Sequence, residues 1–171
     1  MDTSTLENIA EDYVSFELQR GGLLVAKPKN DRSGTDLLVF EQIGDGVKFC
    51  RLQVKGRSLI SSKTTNITIK KEYVTNAFVV FLYLEVPDSE NQPKLFVFFR
   101  SDVEKWNSTP KDEFQLNVNV STYEKNLAGF SYNNIELGKI KYIISAAEIA
   151  GEFRRITFLS AQLKKKTNKT T

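Results

Sequence analysis

Apolar positions along the chain switch between helical and strand periods. Leu6, Ile9, Ala10, Tyr13 and Phe16 recur at helical spacing behind Ser4-Thr5-Leu6-Glu7, which fits a capping box with Ser4 as N-cap and Glu7 reaching back. The spacing predicts a first helix over about 5–20, stopped at Gly21-Gly22, where one glycine can take the left-handed conformation that ends a helix. Leu23, Leu24, Val25 and Ala26 give a short strand that closes before Pro28. Residues 33–58 organise the rest. Leu37-Leu38-Val39-Phe40 is continuously apolar, as in a strand covered on both faces, whereas the segment from Phe49 to Lys55 alternates and ends at Gly56. Asp45-Gly46 between them predicts a hairpin turn, because glycine takes positive φ cheaply. On the second strand Gln53 and Lys55 share one face, and Leu52 and Val54 share the other.

Beyond this hairpin, residues 58–65 read as a hydroxyl-rich loop leading into Ile67-Thr68-Ile69, a short strand or helical turn. Residues 78–86 are too apolar for an edge and predict a central strand, and the turn cluster 87–93 folds the strand at 95–99 back on it. Ser101-Asp102-Val103-Glu104 repeats the capping-box pattern and starts a short helix carrying Trp106, which reads as a core residue. Residues 114–120 alternate strictly, as a half-exposed strand nearer an edge does. Ile140, Ile143, Ile144 and Ala147 keep a helical spacing toward Gly151, residues 153–163 fit helix or strand, and 164–171 form a basic, polar tail expected to be disordered. The pattern is that of one α/β (α+β) domain over residues 1–163.

With 171 residues, 40% of them hydrophobic, such a domain is long enough to bury a genuine core. A single Cys50 in an apolar strand pattern cannot form an internal disulfide and reads as a small buried hydrophobe in a reducing compartment. No apolar run approaches the roughly 18 residues of a membrane span and no signal segment precedes the first helix, so a cytoplasmic protein without a membrane partner is expected. The absence of histidine changes the picture most. It removes Ser/His and Cys/His nucleophilic catalysis and histidine-bound transition metals, and the lone cysteine removes zinc clusters. The net charge of +3 is too small to identify a nucleic-acid partner by itself.

Chemistry must therefore come from carboxylates, amides, lysines or hydroxyls. If the hairpin pairs, Asp36 lies within reach of Gln53 and Lys55. A carboxylate oxygen, an amide oxygen and the Val54 carbonyl are hard ligands suited to Mg²⁺ or Mn²⁺, and Lys55 would sit beside the ion, able to hold or deprotonate an attacking water. The alternative is an exposed strand face, with Asp36 capping a turn. Arg32, Ser33, Arg57 and Ser58 flank these residues at the strand ends, with Lys27, Lys29 and Lys63 nearby in sequence, and suit phosphate contacts that position a backbone without reading bases.

Helix with a Glu, strand, Ser33-Gly34-Thr35-Asp36, strand, hairpin and Gln53-Val54-Lys55 together resemble the core of the PD-(D/E)XK nuclease superfamily. The Ser-Gly-x-Asp approach is similar to that of Holliday-junction resolvases, and Gln-x-Lys is similar to the variant in Mrr-type restriction endonucleases and in uncharacterised bacterial domains. The resemblance covers residues 4–100 and implies a restriction-endonuclease-like core, a mixed central sheet flanked by helices. It implies Asp36 as the metal-binding acid, Gln53 as second ligand, Lys55 as catalytic lysine and Glu11 as the helix carboxylate completing the site through water, with Glu7 the competing acid already occupied in the capping box. The implied activity is Mg²⁺- or Mn²⁺-dependent hydrolysis of nucleic acid, DNA before RNA, and cutting two strands would admit a homodimer. Because Gln53 stands where an acid is usual, the alternative is a catalytically silent module of the same fold that binds nucleic acid or a protein partner.

Overall fold

A computed structural model describes residues 3–30, 33–44, 46–87 and 92–147. The first helix, α1, spans Thr3–Arg20. Ser4 lies inside its first turn and so is not the N-cap that the sequence suggested. The buried stripe is Leu6, Ala10, Val14 and Leu18, while Ile9 and Phe16 are exposed. The apolar face is thus rotated from the expected one, because a straight run of four-residue steps tracks a single ridge of the helix. At its end Gly22 takes φ +82°, and Leu23 N donates to Leu18 O, closing the helix where the glycine pair foretold.

The chain continues through β1 (Leu24–Ala26), β2 (Leu37–Ile43), β3 (Gly46–Ser58), β4 (Thr64–Lys70), β5 (Phe78–Glu85) and β6 (Lys94–Phe99). Helix α2 (Arg100–Val103), β7 (Asn107–Ser108), β8 (Glu113–Asn119), α3 (Tyr123–Leu127) and α4 (Asn134–Ala146) follow. Five strands form a mixed sheet in the order β1-β2-β3-β5-β6, in which β3 and β5 run parallel and every other neighbouring pair is antiparallel. Parallel neighbours need a crossover connection. Here it is β4, which joins β8 and β7 in a second, three-stranded sheet. The architecture is therefore a mixed α+β one, a central sheet with flanking helices, as expected.

Several details depart from the sequence reading. The hairpin pairs Ile43 with Gly46, and Gly44 is the glycine at φ +60°, so Gly46 belongs to the strand; Asp45 lies outside the described residues. β3 runs through Gly56 to Ser58, since Gly56 lets the α1 backbone approach: a Cβ there would lie 2.7 Å from Leu6 O. β2 is fully covered on one face only, with Leu37 and Val39 buried and Leu38 and Phe40 half-buried. β8 is the middle strand of the second sheet, not an edge of the first. Helix α4 starts on Asn133, whose Oδ1 accepts from Ile135 N, and ends at Ala146; Gly151, residues 153–163 and the tail lie outside the described residues.

The sheet separates two cores. Beneath α1 and α4 lie Leu6, Ala10, Val14, Leu18, Cys50, Leu52, Val54, Val79, Phe81, Ile140 and Ile144. Opposite, the second sheet and α3 cover Ile67, Ile69, Phe78, Val80, Leu82, Phe98, Val118 and Leu127, with Trp106 packed edge-on against Phe98 as the core residue the sequence indicated. Among the described residues no helix is long and apolar enough to cross a membrane.

Candidate metal and phosphodiester site

β3 carries the candidate residues because its two faces and two edges are used differently. Arg51 N and Leu59 N donate toward β5, to Ala77 O and Glu85 O, so the even-numbered residues between them turn their backbone groups toward β2. The ladder with β2 ends at Leu37 and Leu52, and Asp36 N donates to that same Leu52 O at 2.9 Å. Two successive residues thus face one, the count of a β-bulge, which re-aims a side chain at a strand end. The Asp36 carboxylate is re-aimed onto the β3 edge: its Oδ2 accepts from Val54 N at 2.6 Å. The Val54 carbonyl points to this same edge, just where β2 has not yet begun.

Side chains alternate across β3. Cys50, Leu52 and Val54 enter the core under α1, so Arg51, Gln53, Lys55 and Arg57 line the opposite face. Arg51 is held by Tyr73 O and Thr75 Oγ1, both at 3.1 Å. Arg57 is held by Glu7 Oε1 at 3.0 Å, Asn66 O at 3.1 Å and Gly56 O at 2.7 Å. Between these anchored guanidinium groups stand Gln53, only 7% exposed, and the half-buried Lys55. The Gln53 Oε1 is buried with no hydrogen-bond partner. Leaving a buried acceptor unsatisfied costs about 1–3 kcal/mol, and such exceptions mark strain, a functional role or a site for water or an ion.

The helix supplies two acids. Glu7 does not close a capping box, as the sequence suggested; it pairs with Arg57. Glu11, whose side chain is 14% exposed, meets Lys27 with Oε2 2.6 Å from Nζ. The Lys27 ammonium is held above its usual range, first by this hydrogen bond and also by the charges of Glu11, Asp12 and Asp36, against the opposing effect of burial. Lys27 thus lies in the field of both Glu11 and Asp36. Of the flanking residues, Ser58 Oγ accepts weakly from Ile60 N at 3.4 Å, Ser33 is exposed, and Arg32 lies outside the described residues.

No protein-family model matches this sequence, and no curated protein does. Solved structures give faint overlays. One is a bacterial homing endonuclease, I-Ssp6803I, at 16% identity over 68% of this chain and 75% of that one, with a TM-score of 0.44. Another is Hjc, a Holliday junction resolvase from the archaeal hyperthermophile Archaeoglobus fulgidus, at 13% identity over 78% of this chain and 95% of that one, also with a TM-score of 0.44. Neither overlay assigns an activity to this chain.

The oxygens present fit a small divalent cation. Asp36 offers a carboxylate at the β3 edge, Val54 a carbonyl on that edge, and Gln53 an amide oxygen that nothing else satisfies; all are hard donors of the kind Mg²⁺ and Mn²⁺ take. Among the described residues no three acidic, cysteine or histidine side chains converge. The ligand set therefore carries the charge of one carboxylate, supplemented by neutral oxygens. Sequence reasoning located Asp36, Gln53 and Lys55 by strand parity. It placed Lys27 among the phosphate-contacting residues but not against Glu11, because an ion pair between a helix and the loop after the next strand leaves no periodic signal.

Proposed function

We propose that this chain is a metal-dependent phosphodiesterase acting on DNA, of the PD-(D/E)XK type in its Gln-x-Lys form. The observation that carries the reading is the buried, unpartnered Gln53 Oε1 beside the Asp36-capped edge of β3. Asp36, the Val54 carbonyl and Gln53 would hold Mg²⁺ or Mn²⁺. When bound, the ion polarises a phosphoryl oxygen and makes a bound water more acidic. Lys55, projecting from the same face as Gln53, orients the attacking water and stabilises the negative charge that builds on the phosphoryl oxygens. Glu11 holds solvent on the helix side of the site. Arg32, Ser33, Arg57 and Ser58 position the phosphate backbone, and two copies of the chain would serve the two strands of a duplex.

The test is nicking of supercoiled plasmid with Mn²⁺. Wild type should convert circles to nicked and linear forms, Lys55→Ala should slow this by about 10³-fold, and Asp36→Asn should abolish it. Intact plasmid with wild type, or undiminished cutting by Lys55→Ala, would overturn the reading. A second reading, a silent module that binds nucleic acid or a protein, is favoured by the neutral amide at Gln53 and by the engagement of Glu11 with Lys27. Plasmid retarded in a gel but never cut would support it.

A further inference from the structure

We infer that Lys27 is an internal counter-cation of the metal site, occupying Glu11 until a divalent ion displaces it, and so setting how tightly that ion binds. The inference rests on the metal reading proposed above. Its geometry is independent of that reading: the Lys27 ammonium lies 2.6 Å from Glu11 Oε2, and the Glu11 side chain is 14% exposed whereas that of Lys27 is 48% exposed. The anchored partner is the acid, and the ammonium is the partner with room to leave.

Charge accounting gives the contact a function. Glu11 acts on Lys27 most strongly, and the charges of Asp12 and then Asp36 add to it. Lys55 stands across β3, on the face turned away from α1. Three carboxylates around one ammonium group leave an excess of negative charge for a divalent ion, and Lys27 offsets one unit of it. In a site with an acid in place of Gln53 the same lysine would merely trim an excess of negative charge. With the neutral amide at Gln53, the one ammonium offsets a larger share of it. An incoming divalent cation is repelled by Lys27 at short range and gains Glu11 only as Lys27 swings out toward solvent. The displaced ammonium then sits on an exposed loop just before Pro28, where a phosphate of a bound strand is its natural partner.

The experiment is calorimetric titration of Mn²⁺ into the full chain and three variants, Lys27→Met, Lys27→Arg and Asp36→Asn, each first checked for an unchanged circular dichroism spectrum. Removing a unit charge within several ångströms of a divalent ion in a partly solvated site should tighten binding about tenfold in Lys27→Met. Lys27→Arg keeps the charge and should remain within about twofold of wild type, which distinguishes electrostatic competition from loss of packing. Mn²⁺ affinity in Lys27→Met equal to or weaker than wild type, with Asp36→Asn non-binding, would overturn the inference and leave the metal reading standing. Absence of binding in wild type and in Lys27→Met alike would overturn both. Binding seen in Lys27→Met alone would support the inference.

Discussion

β3 and β5 lie side by side, parallel and in register from Arg51 opposite Phe78 to Ser58 opposite Glu85, yet they do opposite work. Every residue of β5 from Phe78 to Leu84 is buried and apolar, because α1 and α4 cover one face and the second sheet covers the other. One step away, β3 keeps its apolar face under α1 but presents Arg51, Gln53, Lys55 and Arg57 on the other. The second sheet meets β3 near its C-terminal end, where Arg57 Nε donates to Asn66 O on β4. The difference is therefore one of cover. A strand roofed on both faces is selected for packing, whereas a strand roofed on one can hold polar groups that are dry enough to be selective and open enough to meet a ligand.

Three changes probe that contrast. Phe81→Ala on β5 should cost about 4 kcal/mol in chemical denaturation, whereas Lys55→Ala at the facing region of β3 should cost less than about 1 kcal/mol; equal losses would mean that the two strands are equally structural. Next comes the buried face of β3 itself. Burial pushes the Cys50 thiol from its ordinary 9.0 up to about 12. The folded pKa is raised, so the stabilisation is fully present below pH 9 and is lost as pH rises toward 12. The unfolding free energies of wild type and Cys50→Ala, from urea denaturation, should lie closer together at pH 10.5 than at pH 8, by about 2 kcal/mol. A gap that stays constant with pH would show that the thiol ionises freely. The smallest effect belongs to the orphaned amide. Gln53→Leu should stabilise the fold by about 1 kcal/mol, since it removes a buried acceptor without a partner, while abolishing Mn²⁺ binding. Loss of stability instead would show that Gln53 is already satisfied.

Much of this was legible from residue order alone, for identifiable reasons. β5 and β6 are unmistakable because long apolar, β-branched and aromatic runs flanking a Pro-rich turn have few other solutions. The parity that puts Gln53 with Lys55, and the proximity of Asp36, follow from a two-residue period and a short hairpin. The helix was located, but its buried face was misjudged, since Ile9 and Phe16 fit a helical stripe as well as Val14 and Leu18 do. The second sheet stayed hidden because β7 has only two residues and β4 is mostly threonine, asparagine and lysine around Ile67 and Ile69. Likewise Glu7 matched a local capping pattern while its partner, Arg57, is 50 residues away. Local rules find local partners; distant ion pairs need the fold.

Gly56 gives the helix acids their address. Because Leu6 O occupies the space that a side chain at that position would fill, α1 cannot slip along β3 by even one residue without collision or a void. With Leu6 pinned, the helix becomes a ruler graduated in steps of about 1.5 Å, and Glu11 reads off at about 7.5 Å from the zero mark. A missing side chain on the strand thereby calibrates where an acid on the helix stands.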